Sequence, residues 1–158
     1  MNFLKILILI ISLHIAVSAK VISINNIIDE AKKQDKQVLV FFHMTYCGAC
    51  KRMIKNSFNN QEITNQINRD FILVDLNIND NDSVIHNDFK GSIHRYAKSL
   101  NINFYPSNVF IDRDNKVIYT LSGYRDKEKF STVIEYISTK AYKKMSLESF
   151  IDEKDFNE

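Results

Sequence analysis

The chain predicts an α/β fold, a central mixed sheet flanked by helices with a hairpin at one edge and a short helical tail. Three observations predict it. Val38-Leu39-Val40-Phe41-Phe42 and Phe71-Ile72-Leu73-Val74 are continuous apolar runs, the pattern of strands covered on both faces. Segments with helical spacing alternate with them, which implies a parallel core. Ser107–Ile111 and Lys116–Thr120 flank the turn formers Asp112-Arg113-Asp114-Asn115, a β-hairpin pattern.

The first 19 residues read differently from the rest. Lys5 gives a positive start, Ile6 to Val17 is almost wholly apolar, and Val17-Ser18-Ala19 offers small residues for cleavage. This is the three-part pattern of a secretory signal peptide spanning residues 1–19. The apolar run falls short of the roughly 20 residues that span a bilayer. Cleavage near Ala19 is therefore expected, giving a periplasmic or otherwise exported protein; retention as an anchor is the alternative. Residues 20–158 then form one domain, within the usual range of about 100–200 residues. The whole chain carries a net charge of +2. Only Lys5 is lost with the signal, and a balance of +1 gives no electrostatic case for nucleic acid.

Along the mature chain, Val21–Ile24 alternates as a short strand. Asn25 or Asn26 is placed to cap a helix with Ile27, Ile28 and Ala31 on its apolar face. Cys47 to Lys55 reads as a helix, with Met53 and Ile54 turned inward, and a second helical piece lies near Gln61–Asn68. Asn79–Gly91 is polar and reads as an extended loop, and Ser92–Leu100 as a short helix. Asp126 is placed to cap a long helix whose buried stripe is Phe130, Val133, Ile134 and Ile137. Leu147, Phe150 and Ile151 mark an amphipathic tail. Phe41, Phe42, Phe71, Phe104, Phe110 and Phe130 read as core.

The chemistry concentrates at Tyr46-Cys47-Gly48-Ala49-Cys50-Lys51, where a buried strand hands over to a helix. These are the chain's two cysteines. A bond between them closes so short a loop that it constrains the unfolded chain by only about 2 kcal/mol, so the spacing suits reactivity better than stapling. At a helix start, unpaired N–H groups and the macrodipole favour thiolate over thiol at Cys47. Thiolate is the attacking species in disulfide exchange. Cys50, one turn later, is placed to resolve the mixed disulfide, and the small Gly48 and Ala49 leave the sulfur approachable. Pro106, the single proline, stands at a strand start, which sterics alone permit.

Together these residues resemble the thioredoxin superfamily: a strand, an aromatic-Cys-Gly-x-Cys motif, a helix, and a later proline before a hairpin. The resemblance covers roughly residues 25–140. It implies a thioredoxin fold and a thiol–disulfide oxidoreductase with Cys47 as nucleophile and Cys50 as resolving cysteine. It also implies that Pro106 is cis and lies against the pair, and that the Tyr105 backbone pairs with an extended partner. Tyr46, Gly48, Ala49, Tyr105 and Pro106 would form the substrate-binding surface. The chain further resembles the exported SoxW-like branch, which implies a reductase of exported thiol and disulfide proteins, recharged by a membrane electron donor. A monomer without a cofactor is expected.

The departures are specific. Tyr46 stands where Trp is usual, and Phe41 stands where many relatives carry a buried Asp, so the proton acceptor for Cys50 is open; Asp75 is one candidate. An oxidase or isomerase of the same fold remains an alternative. So do a copper- or zinc-binding module using His43 with the cysteines, and a structural domain with an inert disulfide. His43, His86 and His94 lie on different elements, and no metal site is expected.

Overall fold

The computed structural model describes residues 19–157. The expected signal segment therefore lies, but for Ala19, outside the described residues.

The chain begins with β1 (Val21–Ser23), whose last residue caps α1 (Ile24–Lys33). Ser23 Oγ accepts the Asn26 N–H at 3.3 Å, so the cap is Ser23 and not Asn25 or Asn26. Starting the helix at Ile24 lets Ile24, Ile28 and Ala31 bury as an i, i+4, i+7 stripe, which a later start would break. β2 (Gln37–His43) follows, then α2 (Gly48–Met53), which widens into a π-turn over Ile54–Phe58. Asn60 Oδ1 caps α3 (Gln61–Asp70), accepting from Glu62 and Ile63. Then come β3 (Phe71–Asn77), β4 (Ser83–His86), β5 (Phe89–Ser92) and α4 (Ile93–Ser99). The chain closes with β6 (Ser107–Ile111), β7 (Val117–Ser122), α5 (Lys127–Ser138) and α6 (Leu147–Asn157).

The main sheet has the order β3-β2-β6-β7. β2 pairs parallel with β3 and antiparallel with β6, and β6 pairs antiparallel with β7. One face of it, with Val38, Val40, Phe42, Val109 and Ile111, packs on α1 and α4. The other, with Leu39, Phe41 and Phe110, packs beneath α2, α3 and α5. The result is helices on both faces of a mixed sheet.

Two expectations fail here. The Phe71–Val74 run is not covered on both faces: β3 is an edge strand, and Leu73 is 41% exposed. The polar stretch Asn79–Gly91 is not a loop but chiefly the β4–β5 hairpin, which turns at Asn87 with φ +52°. β1 pairs parallel with β4 in this separate three-stranded sheet, leaving the main sheet without it. Alternate residues Val84 and His86 are buried by α1 and α4 packing, which no local pattern announces. His86 Nε2 donates to Asn115 Oδ1 at 2.5 Å, so its Nδ1 accepts from the Tyr96 hydroxyl at 2.7 Å. Asn115 in turn donates to Asn87 and Asn25, tying the two hairpin turns together.

The tail helix docks through Leu147 and Phe150, which pack on the second core, and Lys154 donates to Glu135 at 2.6 Å. Among the described residues, no helix is long and apolar enough to cross a membrane.

Asp126 caps α5 by accepting the Lys129 N–H at 2.9 Å, and that backbone hydrogen bond holds its carboxyl below the usual aspartate value. A depressed native pKa contributes stability above the unfolded-state value, and that contribution is lost as pH falls through the native one. Asp126→Ala is expected to destabilise the fold by about 1 kcal/mol at neutral pH. Urea unfolding at pH 7 and pH 3 checks it, and the variant's deficit should shrink at the lower pH.

Candidate functional site

β2 delivers the reactive pair. It leaves the sheet at His43, and the connecting residues are pinned to the end of β3. The Thr45 N–H donates to Asn79 Oδ1, and Asn77 Nδ2 donates to Thr45 Oγ1, both at 3.0 Å. Cys47 then takes an extended conformation as the N-cap of α2. Its Sγ accepts the Cys50 N–H at 3.1 Å, and its carbonyl accepts from Lys51. Cys47 and Cys50 are joined in a disulfide. The two sulfurs are unequal: Cys47 is half-buried, whereas Cys50 is 1% exposed. A partner therefore reaches the outer cysteine and not the inner one.

The Tyr105–Pro106 segment lies against this pair. Its peptide bond is cis, and Tyr105 O is 3.8 Å from Cys47 Sγ. Pro106 is buried, and its carbonyl accepts the Gly123 N–H at 2.7 Å. Gly123 has φ +87°, which a side chain would strain, so glycine is needed for that return bond. Partial burial raises the Tyr105 phenol above its usual value. Gly48 is exposed, and a Cβ there would meet only Arg52 Nη1, so the approach to the sulfur is open.

Two large rings stand in solvent, one just before Cys47 and one just before Tyr105 in the chain. Tyr46 is 92% exposed and Phe104 is 72% exposed. Phe104 was expected in the core; it sits instead in the loop before Pro106, where Ser107 Oγ donates to its carbonyl and no element covers the ring. No periodicity around that position separates the two outcomes.

Beneath the pair the sheet is mostly apolar. Phe41 is buried, with His43 stacked on it at 5.2 Å and Phe58 at 4.5 Å. Asp75 is directly opposite Phe41 across the strands, but its side chain is 62% exposed and accepts from His43 Nε2 at 2.7 Å. It is an exposed carboxylate engaged with His43. Two buried polar side chains share this face, Gln37 at the far end of β2 and Asn108, opposite Phe41 on β6 and wholly inaccessible. Its Nδ2 is 3.8 Å from Met53 Sδ, and its Oδ1 has no partner among the described residues. An unpaired buried acceptor costs about 1–3 kcal/mol, so this asparagine, overlooked within an apolar run, is out of place unless it is used. Arg52 lies over the Tyr124 ring at 5.5 Å. Among the described residues there is no group of three or more His, Cys, Asp or Glu arranged to hold a metal ion.

Residues 24–138 match the family model for the thioredoxin-like domain, and the chain belongs to that family. It carries the family's Cys-x-x-Cys pair, the dithiol of a thiol–disulfide oxidoreductase. No curated protein matches it. Among solved structures it is similar to a thioredoxin-fold protein from Helicobacter pylori, at 25% identity and TM-score 0.67, covering 90% of this chain and 92% of that one. It shares the fold of an oxidoreductase named DsbH, at 13% identity and TM-score 0.55, over 76% and 84% of the two chains. It shares it too with the oxidised DsbD C-terminal domain of Neisseria meningitidis, at 20% identity and TM-score 0.52, over 73% and 90%.

After reduction, Cys47 is expected to react with iodoacetamide at least about tenfold faster than Cys50, because thiol modification follows access and thiolate character. Peptide mass spectrometry of briefly alkylated protein reads the ratio directly. Equal labelling would contradict the asymmetry of the pair.

Proposed function

We propose that the protein is an exported thiol–disulfide oxidoreductase acting as a reductase of disulfides in exported proteins, as a monomer, with its dithiol restored by a membrane electron donor. The observation that carries this reading is the unequal pair: an accessible Cys47 sulfur capping a helix, beside the Tyr105 carbonyl, with Cys50 shielded behind it.

The steps follow from that inequality. In the reduced protein, the Cys47 thiolate attacks one sulfur of a partner disulfide. The partner's other sulfur leaves as a thiol, and a mixed disulfide forms on Cys47. Cys50 gives up its proton and attacks Cys47 Sγ; the Cys47–Cys50 bond forms and the second partner sulfur departs with a proton. The partner gains two electrons and two protons, which the electron donor later returns to the pair. The Tyr105 carbonyl is placed to accept a backbone N–H from an extended partner segment, which gives affinity with little sequence preference. Tyr46 and Phe104 offer exposed apolar area to the residues beside the partner cysteine.

The direction follows the resemblance to the exported reductase branch. The Cys50 N–H and the start of α2 favour the Cys47 thiolate, with the positive charge of Lys51 nearby, and the redox potential decides how far. The signal-like first 19 residues support export.

The redox potential of residues 20–158 against a glutathione or dithiothreitol series tests the direction. A value near about −250 mV or below is expected, and one near about −120 to −180 mV would instead identify an oxidase or isomerase. Cys50→Ser is expected to trap partners as mixed disulfides on Cys47 in cell extracts, released by dithiothreitol. Failure to trap any, where a thioredoxin treated alike does so, would remove the reductase reading.

A further inference from the structure

Asn108 is a wholly buried polar group that the proposed exchange leaves unused. It is on β6, two residues after Pro106, at 0% exposure, and it shares a sheet face with Phe41. Its Nδ2 contacts Met53 Sδ. Met53 is three residues after Cys50 on α2, and both side chains are buried against the sheet. Residues three apart on a helix are neighbours, roughly 5–6 Å between Cβ atoms. The carboxamide thus lies against Met53, one turn after Cys50 on α2.

The unpaired atom is Oδ1, an acceptor, and the pair is oxidised. A disulfide sulfur has no hydrogen to donate. When a dithiol reductant breaks the Cys47–Cys50 bond, two electrons and two protons enter, and each sulfur gains an S–H. Cys50 then presents a buried S–H donor on the side of the sheet where Asn108 Oδ1 lacks one.

We propose that Asn108 is a positioning residue that sets the redox potential of the pair, its Oδ1 accepting the Cys50 S–H in the dithiol state and standing unpaired in the disulfide state. A group satisfied in only one redox state stabilises that state. Asn108 therefore favours the dithiol and raises the potential above the value an apolar floor would give. The inference rests on the Cys47–Cys50 exchange reading but not on its direction, since potential is an equilibrium property measured without any partner.

The test is the potential of Asn108→Leu and Asn108→Val in a glutathione or dithiothreitol series, with thermal unfolding of each variant in both redox states. Gln37→Leu is the control. Gln37 carries the other unpaired buried oxygen, its Nε2 donates to the Ile137 carbonyl, and it starts β2 at the end away from the cysteines. The dithiol-to-disulfide equilibrium of the Asn108 variants should fall about tenfold, the worth of one hydrogen bond near its upper range, or about 30 mV more negative for a two-electron couple. Their gain in melting temperature should be larger in the oxidised protein than in the reduced one. Gln37→Leu should shift both states alike and leave the potential in place. An unchanged or more positive potential in both Asn108 variants, or an equal shift in Gln37→Leu, overturns the proposal. Trapping by Cys50→Ser is a separate readout, so failure of the exchange reading and failure of the Asn108 role are told apart.

Discussion

β2 is hydrogen-bonded on both edges, parallel to β3 and antiparallel to β6, and all of its residues but His43 are buried. That double pairing fixes where the strand ends, and the end of the strand fixes Cys47. Burial of its Val38, Val40 and Phe42 side chains on one face and Leu39 and Phe41 on the other leaves no freedom of register. A one-residue slip would exchange the two cores. The reactive pair is thus held by a rigid element, although Cys47 is itself at a turn.

The same sheet brings distant sequence to the sulfur. β6 pairs beside β2 with Phe42 opposite Ser107, so the residues just before β6 must pass the start of α2. This is why Tyr105 O reaches Cys47 Sγ across a separation of 58 residues. Gly123, at the end of β7, closes the arrangement through its bond to Pro106 O. Site and fold are one construction here: the strand order that buries the core also supplies the carbonyl, the proline and the asparagine around the cysteines.

Chemically, the site separates access from shielding. The outer sulfur is half-buried beside the Tyr105 carbonyl; the inner one is closed off from solvent. Phe41 and Asp75 illustrate the division. The residue beneath the helix is apolar, and the carboxylate across from it is on the exposed edge strand, where His43 engages it. Among the described residues, the buried polar side chains on that face of the sheet are Asn108 and Gln37.

The sequence by itself determined the elements whose signals are local. The Val38–Phe42 run, the Asp112–Asn115 turn, the Asp126 cap and the Phe130–Ile137 stripe each satisfy a short-range rule, and each stands in the structure near its expected bounds. The Cys47–Cys50 spacing at a strand-to-helix junction was equally legible, because chemistry at that junction depends on adjacent residues. Tertiary structure alone decided the rest. Whether Phe71–Val74 was central or at an edge depended on which strand lay beyond it, and whether Asn79–Gly91 formed strands depended on β1 and α1 offering a surface. Phe104 and Asn108 make the point most sharply. Both belong to short segments whose burial no period reveals; the loop left the ring in water, and the sheet closed over the amide, because burial is a property of what packs against a residue and not of the residue's neighbours in the chain.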